Sequence, residues 1–394
     1  MSEMNYYQFN KITKFIDYRG KTPKKTEYGI PLITAKNIKF GYLSEQPKEF
    51  ISEDDYDGWM TRGIPKSGDI LFTTEAPLGN VCLLNTNEKR AFAQRAIIFQ
   101  PISDDTYISK YLFYYLMSPP FMEELDSKKT GTTVKGIKSS ILKKFQIPLP
   151  PLSEQQRIVS KLNLLFEKID KSIALHQKNM DEADVFMGSV LNDVFGELEE
   201  KYPIKTVDEI STNVRYGYTD SAKDKGNAVF IRITDINENG NFKDNFVYVD
   251  IAEKDLDRFR LYKGDILVAR SGATAGKVAL FDLDFVSVFA SYLIRIQPNN
   301  EMDSSFLFYF CHSPKYWEQL NQIKVGGAQP NVNATNLKEI KIGTPPLSIQ
   351  QKVVKYLDEI SEKIEKVKSV QKEKMDSLKA LKASILDQAF RGEL

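Results

Sequence analysis

The amino-acid sequence predicts an α+β protein of two similar lobes, each followed by a long helix. The two helices are expected to form an antiparallel coiled coil with pseudo-twofold symmetry. Three observations carry this: an internal repeat, a heptad-like apolar stripe behind each copy, and short β-rich runs broken by helical ones. Pro148-Leu149-Pro150-Pro151-Leu152-Ser153-Glu154-Gln155-Gln156 returns as Gly343-Thr344-Pro345-Pro346-Leu347-Ser348-Ile349-Gln350-Gln351, 195 residues on. Lys66-Ser67-Gly68-Asp69-Ile70-Leu71 is answered by Tyr262-Lys263-Gly264-Asp265-Ile266-Leu267, and Leu112-Phe113-Tyr114-Tyr115 by Leu307-Phe308-Tyr309-Phe310. Ser118-Pro119 matches Ser313-Pro314, Gly131 matches Gly326, and Phe195-Gly196-Glu197-Leu198 returns as Phe390-Arg391-Gly392-Glu393-Leu394. A period this long exceeds the ~20–50 residues of solenoid units, so each copy is a whole domain with its helix. The segments divide at 1–150, 151–198, 199–346 and 347–394.

Within the lobes, Gly29-Ile30-Pro31-Leu32-Ile33-Thr34 and Asp69-Ile70-Leu71-Phe72-Thr73 read as strands, as do Ala228-Val229-Phe230-Ile231-Arg232-Ile233 and Asp265-Ile266-Leu267-Val268-Ala269. Helical patterns at 110–117 and 305–311 interrupt them, giving an expected curved, mainly antiparallel sheet in each lobe. Ser153 with Gln156, and Ser348 with Gln351, have the capping-box form that opens a helix. The first stripe then runs Ile158, Leu162, Leu165, Ile169, Ile173, His176, Met180, Ala183, Met187, Val190 and Val194. The second runs Val353, Leu357, Ile360, Ile364, Val367, Gln371, Lys374, Leu378, Leu381 and Ile385. Steps of three and four place these on one helix face, and some 40 residues make a rod of roughly 60 Å that cannot bury its stripe alone. Gly196 and Gly392 fall where C-caps are expected.

Composition narrows function. Lys plus Arg number 54 against 53 for Asp plus Glu, so a net charge of +1 excludes a strongly basic nucleic-acid binder and leaves any DNA contact to local patches. Cys82 and Cys311 give no metal-ligand spacing, and no secretory signal pattern is present, so a reduced, cytoplasmic chain is expected. The apolar run at 286–294 is far too short to span a membrane.

The polar loops hold the functional candidates. In the first lobe these are Arg19, Lys21 and Thr22, then Lys36 and Asn37, and Lys135 and Lys138 in the Gly-rich run 128–138. In the second they are Arg215, Tyr216 and Tyr218, then Arg232 and Thr234, then Arg270, Ser271, Thr274 and Lys277, and finally Gln329, Asn331 and Asn333. Lys and Arg supply phosphate contacts, hydroxyls fix register, and Arg, Lys, Asn and Gln reach base edges with paired hydrogen bonds.

Three fragments mimic catalysis. Ser118-Pro119-Pro120-Phe121 resembles the target-amine loop of amino-methyltransferases, but Ser313-Pro314-Lys315-Tyr316 breaks it and no Gly-rich cofactor loop precedes either, so a helix end is expected. Gly272-Ala273-Thr274-Ala275-Gly276-Lys277 has three residues between its glycines instead of four and lacks the following hydroxyl of a P-loop. Cys311-His312 has no counterpart in the first lobe.

Taken jointly, the chain resembles the DNA-specificity subunit of type I restriction-modification systems. The likeness rests on Gly20-Lys21-Thr22-Pro23 with the following Ile30-Pro31-Leu32-Ile33-Thr34, on Arg215-Tyr216-Gly217-Tyr218-Thr219 and Phe230-Ile231-Arg232-Ile233-Thr234-Asp235-Ile236, on the Lys-Gly-Asp-Ile-Leu stretch from Lys263, and on both Pro-Pro-Leu-Ser-x-Gln-Gln segments. The resemblance implies two target-recognition domains, each reading one half of a bipartite double-stranded DNA site, with helices that set the spacing and dock two modification (methyltransferase) subunits. It implies no cofactor in this chain; S-adenosylmethionine, ATP and magnesium belong to the partner modification and restriction (translocase/nuclease) subunits. In the second lobe Gly217-Tyr218-Thr219-Asp220 replaces the Gly-x-Thr-Pro form, so contacts do not transfer loop by loop. The alternatives are a coiled-coil scaffold that binds only proteins, which leaves the basic loops unexplained, and a self-contained adenine methyltransferase or nuclease, which lacks a cofactor or metal constellation.

Overall fold

The computed structural model describes residues 5–20, 22–93, 95–103, 105–131, 135–237, 240–323 and 331–394. They form two compact units, Met1–His176 with Glu373–Leu394, and Gln177–Lys372.

The two units share one plan. In the first, Thr13–Asp17, Ala96–Pro101, Ile70–Thr74 and Leu78–Leu83 make a four-stranded antiparallel sheet in that order. Phe50–Ile51, Ile30–Ile33 and Ala91–Phe92 make a three-stranded one, and Asn5–Gln8 pairs with Gln146–Leu149. The second repeats this with Ser211–Tyr216, Leu293–Pro298, Ile266–Ala269 and Val278–Leu280, then Val247–Val249, Ala228–Ile231 and Ser287–Phe289, then Ile204–Thr206 with Lys341–Gly343. Among the described residues each lobe therefore holds three small sheets where one curved sheet was expected, and one strand pair in each is parallel (Ile30–Ile33 with Ala91–Phe92, Ala228–Ile231 with Ser287–Phe289). The two Gly-Asp-Ile-Leu turns precede the central strands, closed by the Asp69 and Asp265 carboxylates accepting from the Lys66 and Tyr262 amides at 2.8 and 2.9 Å.

The expected helical runs form as Ser109–Met117 and Ser304–Cys311. The long helices run Leu152–Lys201, past the expected end at 198, and Leu347–Arg391. Neither opens with the expected capping box. Pro151 and Pro346 already accept the first helical amides, so Ser153 and Ser348 lie inside the helix. The preceding glutamine of each pair is the one that ties the helix to its lobe. Gln155 is 1% exposed, accepts from the Ile108 amide and donates to the Pro150 carbonyl, both at 2.9 Å. Gln350, fully buried, accepts from the Asp303 amide and donates to the Glu301 and Pro345 carbonyls, all at 2.8 Å. Each fastens a long helix to its own lobe at the entry of that lobe's tyrosine- or phenylalanine-rich helix.

Within each unit the two helices run antiparallel. Lys382 meets Asp170 at 2.7 Å and Arg157 reaches the Leu394 carbonyl at 2.9 Å in the first; Lys368 meets Asp184 at 2.8 Å in the second. Val367 and Leu381, expected on the stripe, are 45% and 47% exposed. The half-buried lysines one residue on take the inward place, because 3.6 residues per turn drift from a strict heptad. Gly392 has φ +81° and caps its helix, whereas Gly196 lies inside the first helix and caps nothing.

Large aromatics weld helix to lobe. Phe390 packs on Tyr111 and Tyr115, both at 5.3 Å between ring centroids, and its twin Phe195 packs on Phe306 and Phe310 at 5.2 and 5.4 Å.

Candidate nucleic-acid interface

In the first lobe the candidate loops converge on the end of the strand Ile70–Thr74. The Thr74 amide and hydroxyl both donate to the Arg95 carbonyl (3.0 and 3.2 Å), and its carbonyl accepts from the Ile137 amide at 2.9 Å. Glu75 bridges to Gly136. This knot brings together loops distant in sequence around a cleft of about 400 Å³ lined by Arg19, Gly20, Thr22, Thr34, Lys36 and Arg95. Lys135 and Lys138 are exposed on the adjoining loop.

The Arg19 guanidinium grips the Asp17 carboxylate through Nε and Nη2 (2.8 and 2.6 Å) and donates to the Thr74 hydroxyl at 3.3 Å. Burial pushes the Asp17 carboxyl up, but the Arg19 hydrogen bonds and positive charge outweigh it and hold the group below its ordinary value. Arg19 thus shapes the cleft wall. Asn37, expected to face DNA, is 2% exposed: it accepts from the Thr34 amide and donates to the Ser44 and Pro47 carbonyls. Its amide is consumed in folding the loop that presents exposed Lys36.

The second lobe repeats the knot with different side chains. The Arg270 amide donates to the Tyr292 carbonyl at 2.9 Å, its carbonyl accepts from the Val332 amide at 2.8 Å, and Ser271 bridges to Asn331. The Arg270 guanidinium lies 4.8 Å from the Tyr216 ring centroid, and the Tyr216 hydroxyl accepts from the Ala334 amide. The Asn331 Oδ1 is buried with no hydrogen-bond partner among the described residues. Arg270, Ser271, Tyr216, Asn331 and Asn333 are therefore brought together, although Asn333 also caps the helix Ala334–Lys338 by accepting from the Asn336 amide at 2.7 Å. Half-buried Thr274 and Lys277 follow Ser271 in one tight turn, the Lys277 amide donating to the Thr274 carbonyl at 3.0 Å.

Other candidates serve the scaffold. Arg215 donates to Asn213 and to the Arg258 carbonyl, and Tyr218 packs its ring on Phe259. Gly217 between them is required by space: a Cβ there would sit 2.3 Å from both the Phe289 and Ala290 carbonyl oxygens. Arg232 forks onto buried Asp235 at 3.1 and 2.8 Å, and the Asp235 carboxylate closes the loop on the Arg232 amide as Asn37 does on Thr34 in the first lobe; Thr234 stays exposed. Lys21 and Gln329 lie outside the described residues, as do 132–134 and 326–330 of the Gly-rich loops.

Sequence reasoning missed Arg95, Glu75 and Tyr292. Selecting Gly-flanked basic loops could not find them, since each follows or precedes a strand with no glycine beside it.

The catalytic mimics have structural employment. Ser118 is buried between two helices, donating to the Tyr115 carbonyl at 2.6 Å. Burial pushes the Cys82 thiol up to about 12 and the Cys311 thiol higher still, and burial lowers His312, whose ring contacts the Phe308 carbonyl. Such a pair favours the neutral thiol, the opposite of an activated nucleophile. Gly276 packs against Leu320 and Trp317. Among the described residues no group of three or more His, Cys, Asp or Glu is placed to hold a metal, and no helix is long and apolar enough to cross a membrane.

Comparison with known proteins adds the family. A family model described as type I restriction modification DNA specificity domain matches residues 4–182 and again 199–374. The type I restriction enzyme EcoKI specificity subunit of Escherichia coli (strain K12) is 23% identical over 411 residues, covering 94% of this chain and 83% of that protein. The EcoBI specificity subunit of Escherichia coli is 27% identical over 322 residues, covering 74% and 67%. A chain in a solved structure concerned with complex assembly and conformational transition of the type I R-M system shares the fold, with a TM-score of 0.72 at 21% identity over 99% of this chain and 98% of that one. With the model matching both halves, and both halves building one loop knot, the protein belongs to the type I restriction-modification DNA-specificity family.

Proposed function

We infer that this chain is the non-catalytic specificity subunit of a type I restriction-modification complex, each lobe reading one half of a bipartite double-stranded DNA site. The observation that carries the reading is the knot built twice on one backbone plan, Thr74–Arg95–Ile137 and Arg270–Tyr292–Val332, with unlike side chains at matching places. One scaffold with two side-chain sets is what reading two different half-sites requires. The long helices set the spacing and dock two modification subunits. Supporting this, they expose Leu164, Leu175, Val185, Phe186, Tyr356 and Val370, more apolar surface than a paired helix needs to leave in water. S-adenosylmethionine on the modification subunits, and ATP and magnesium on the restriction subunits, supply the chemistry.

The test is methylome sequencing of cells expressing this chain with a modification subunit, with and without Arg270→Ala and Lys277→Ala. A split methylated motif that loses or relaxes only one half in the variant supports the reading. An assembled, cofactor-competent complex that yields no motif removes it and leaves the protein-binding scaffold.

A further inference from the structure

Among the described residues only two non-glycine residues adopt positive φ, Ala76 (+43°) and Arg95 (+65°), and both line the first-lobe cleft. Left-handed backbone costs an ordinary residue free energy, and such residues persist where surrounding structure forces them, most often at functional sites. Here the forcing is visible: the Arg95 carbonyl is pinned by both the amide and hydroxyl of Thr74. Fold stability gives no reason for arginine there. Its side chain is half exposed, and its ion pair, to Glu75 at 3.2 Å, joins two solvated groups and contributes little. A glycine would take this backbone more easily.

Resting on the two-reader function above, we propose that Arg95 and Glu75 together read one G·C base pair in the half-site of the first lobe. Arg95 donates its paired N–H groups to guanine O6 and N7, and Glu75 accepts from the amino group of the paired cytosine. The carboxylate decides between a base edge and the DNA backbone. A guanidinium meant for phosphate gains from having no anion beside it, whereas Glu75, 42% exposed at the same cleft, repels phosphate and pre-orients Arg95. In the second lobe the carbonyl that answers the same strand-end amide belongs to Tyr292, an aromatic 62% exposed and free of the left-handed conformation, so this position differs between the two readers.

The test uses the full chain assembled with modification subunits, comparing wild type, Arg95→Ala, Arg95→Gly and Glu75→Gln by methylome sequencing and by complex binding to half-site libraries at two salt concentrations. Preference for one G·C pair, in one half-site only, is expected to fall roughly ten- to hundred-fold in all three variants. Arg95→Gly relieves the backbone and should melt no lower than wild type, so misfolding of Arg95→Ala leaves the question answerable. An unchanged motif overturns the proposal, as does uniform weakening on every sequence with a shallower salt dependence, the signature of a phosphate contact. A wild-type complex without any motif overturns the two-reader function itself, and this proposal with it.

Discussion

Phe390→Ala should loosen the first unit while leaving the second untouched. Phe390 is 6% exposed and lies edge-on to Tyr111 and Tyr115, so the substitution removes a buried ring and two aromatic contacts. Deleting a buried phenylalanine costs about 3–5 kcal/mol, and the ring pairs, about 0.5–1.5 kcal/mol each beyond area, place this site in the upper half of that range. At about 4 kcal/mol, amides whose exchange requires opening of the first unit should exchange about a thousandfold faster, a factor of ten for each ~1.4 kcal/mol. Hydrogen exchange followed by mass spectrometry reads this in peptides covering 111–116 and 146–149, with 307–311 and 341–343 as the internal control. Phe195→Ala should give the mirror image. A change below tenfold in the first unit, or equal acceleration in both, would refute the assignment of each helix end to a separate core.

Three further outcomes are expected. Gln155→Ala strips the acceptor from the half-buried Ile108 amide, and Gln350→Ala from that of Asp303, each costing about 1 kcal/mol or somewhat more; denaturant midpoints should fall with little change in slope. Because the folded Asp17 carboxyl is held below its unfolded value of about 3.9, its contribution is complete above that pH and is lost as pH falls through the lower folded value. An NMR titration of the Asp17 side chain with a midpoint above about 4 would contradict the Arg19 clamp. With a net charge of +1, the chain alone should bind DNA weakly and the assembled complex with steep salt dependence; nanomolar sequence-specific binding by the isolated chain at physiological salt would count against this.

Much of the architecture was legible because repetition and periodicity are local properties of a sequence. The strands around Ile30, Ile70, Ala228 and Ile266 and both long helices form where expected. What escaped depends on partners distant along the chain. Phe195 is buried off the heptad stripe because lobe residues Phe306 and Phe310 cover it, and Phe166 because Tyr114 of the lobe and Lys382 of the opposite helix both lie against its ring. The Ser-x-x-Gln spacing suggested a cap, yet Gln155 is held by an amide 47 residues upstream. In the candidate interface, residue type identified Arg19, Lys36 and Arg270 but could not separate a guanidinium facing a cleft from one clamped on Asp17 or Asp235. Arg95 had no local mark, since its strain arises from Thr74 on a neighbouring strand.

The first unit's core includes Ile385, Leu386, Ala389 and Phe390, encoded some 200 residues after the rest of it, whereas the second unit draws only on the continuous stretch 177–372. At the usual 5–20 residues per second of synthesis, the N-terminal lobe waits roughly 10–40 s for its closing aromatic while the later lobe has its parts in hand first. Maturation on the ribosome therefore runs opposite to chain order. A premature stop between the second lobe and Ile385 leaves the first unit without its closing residues and exposes apolar surface, so partial products are open to removal by proteolysis.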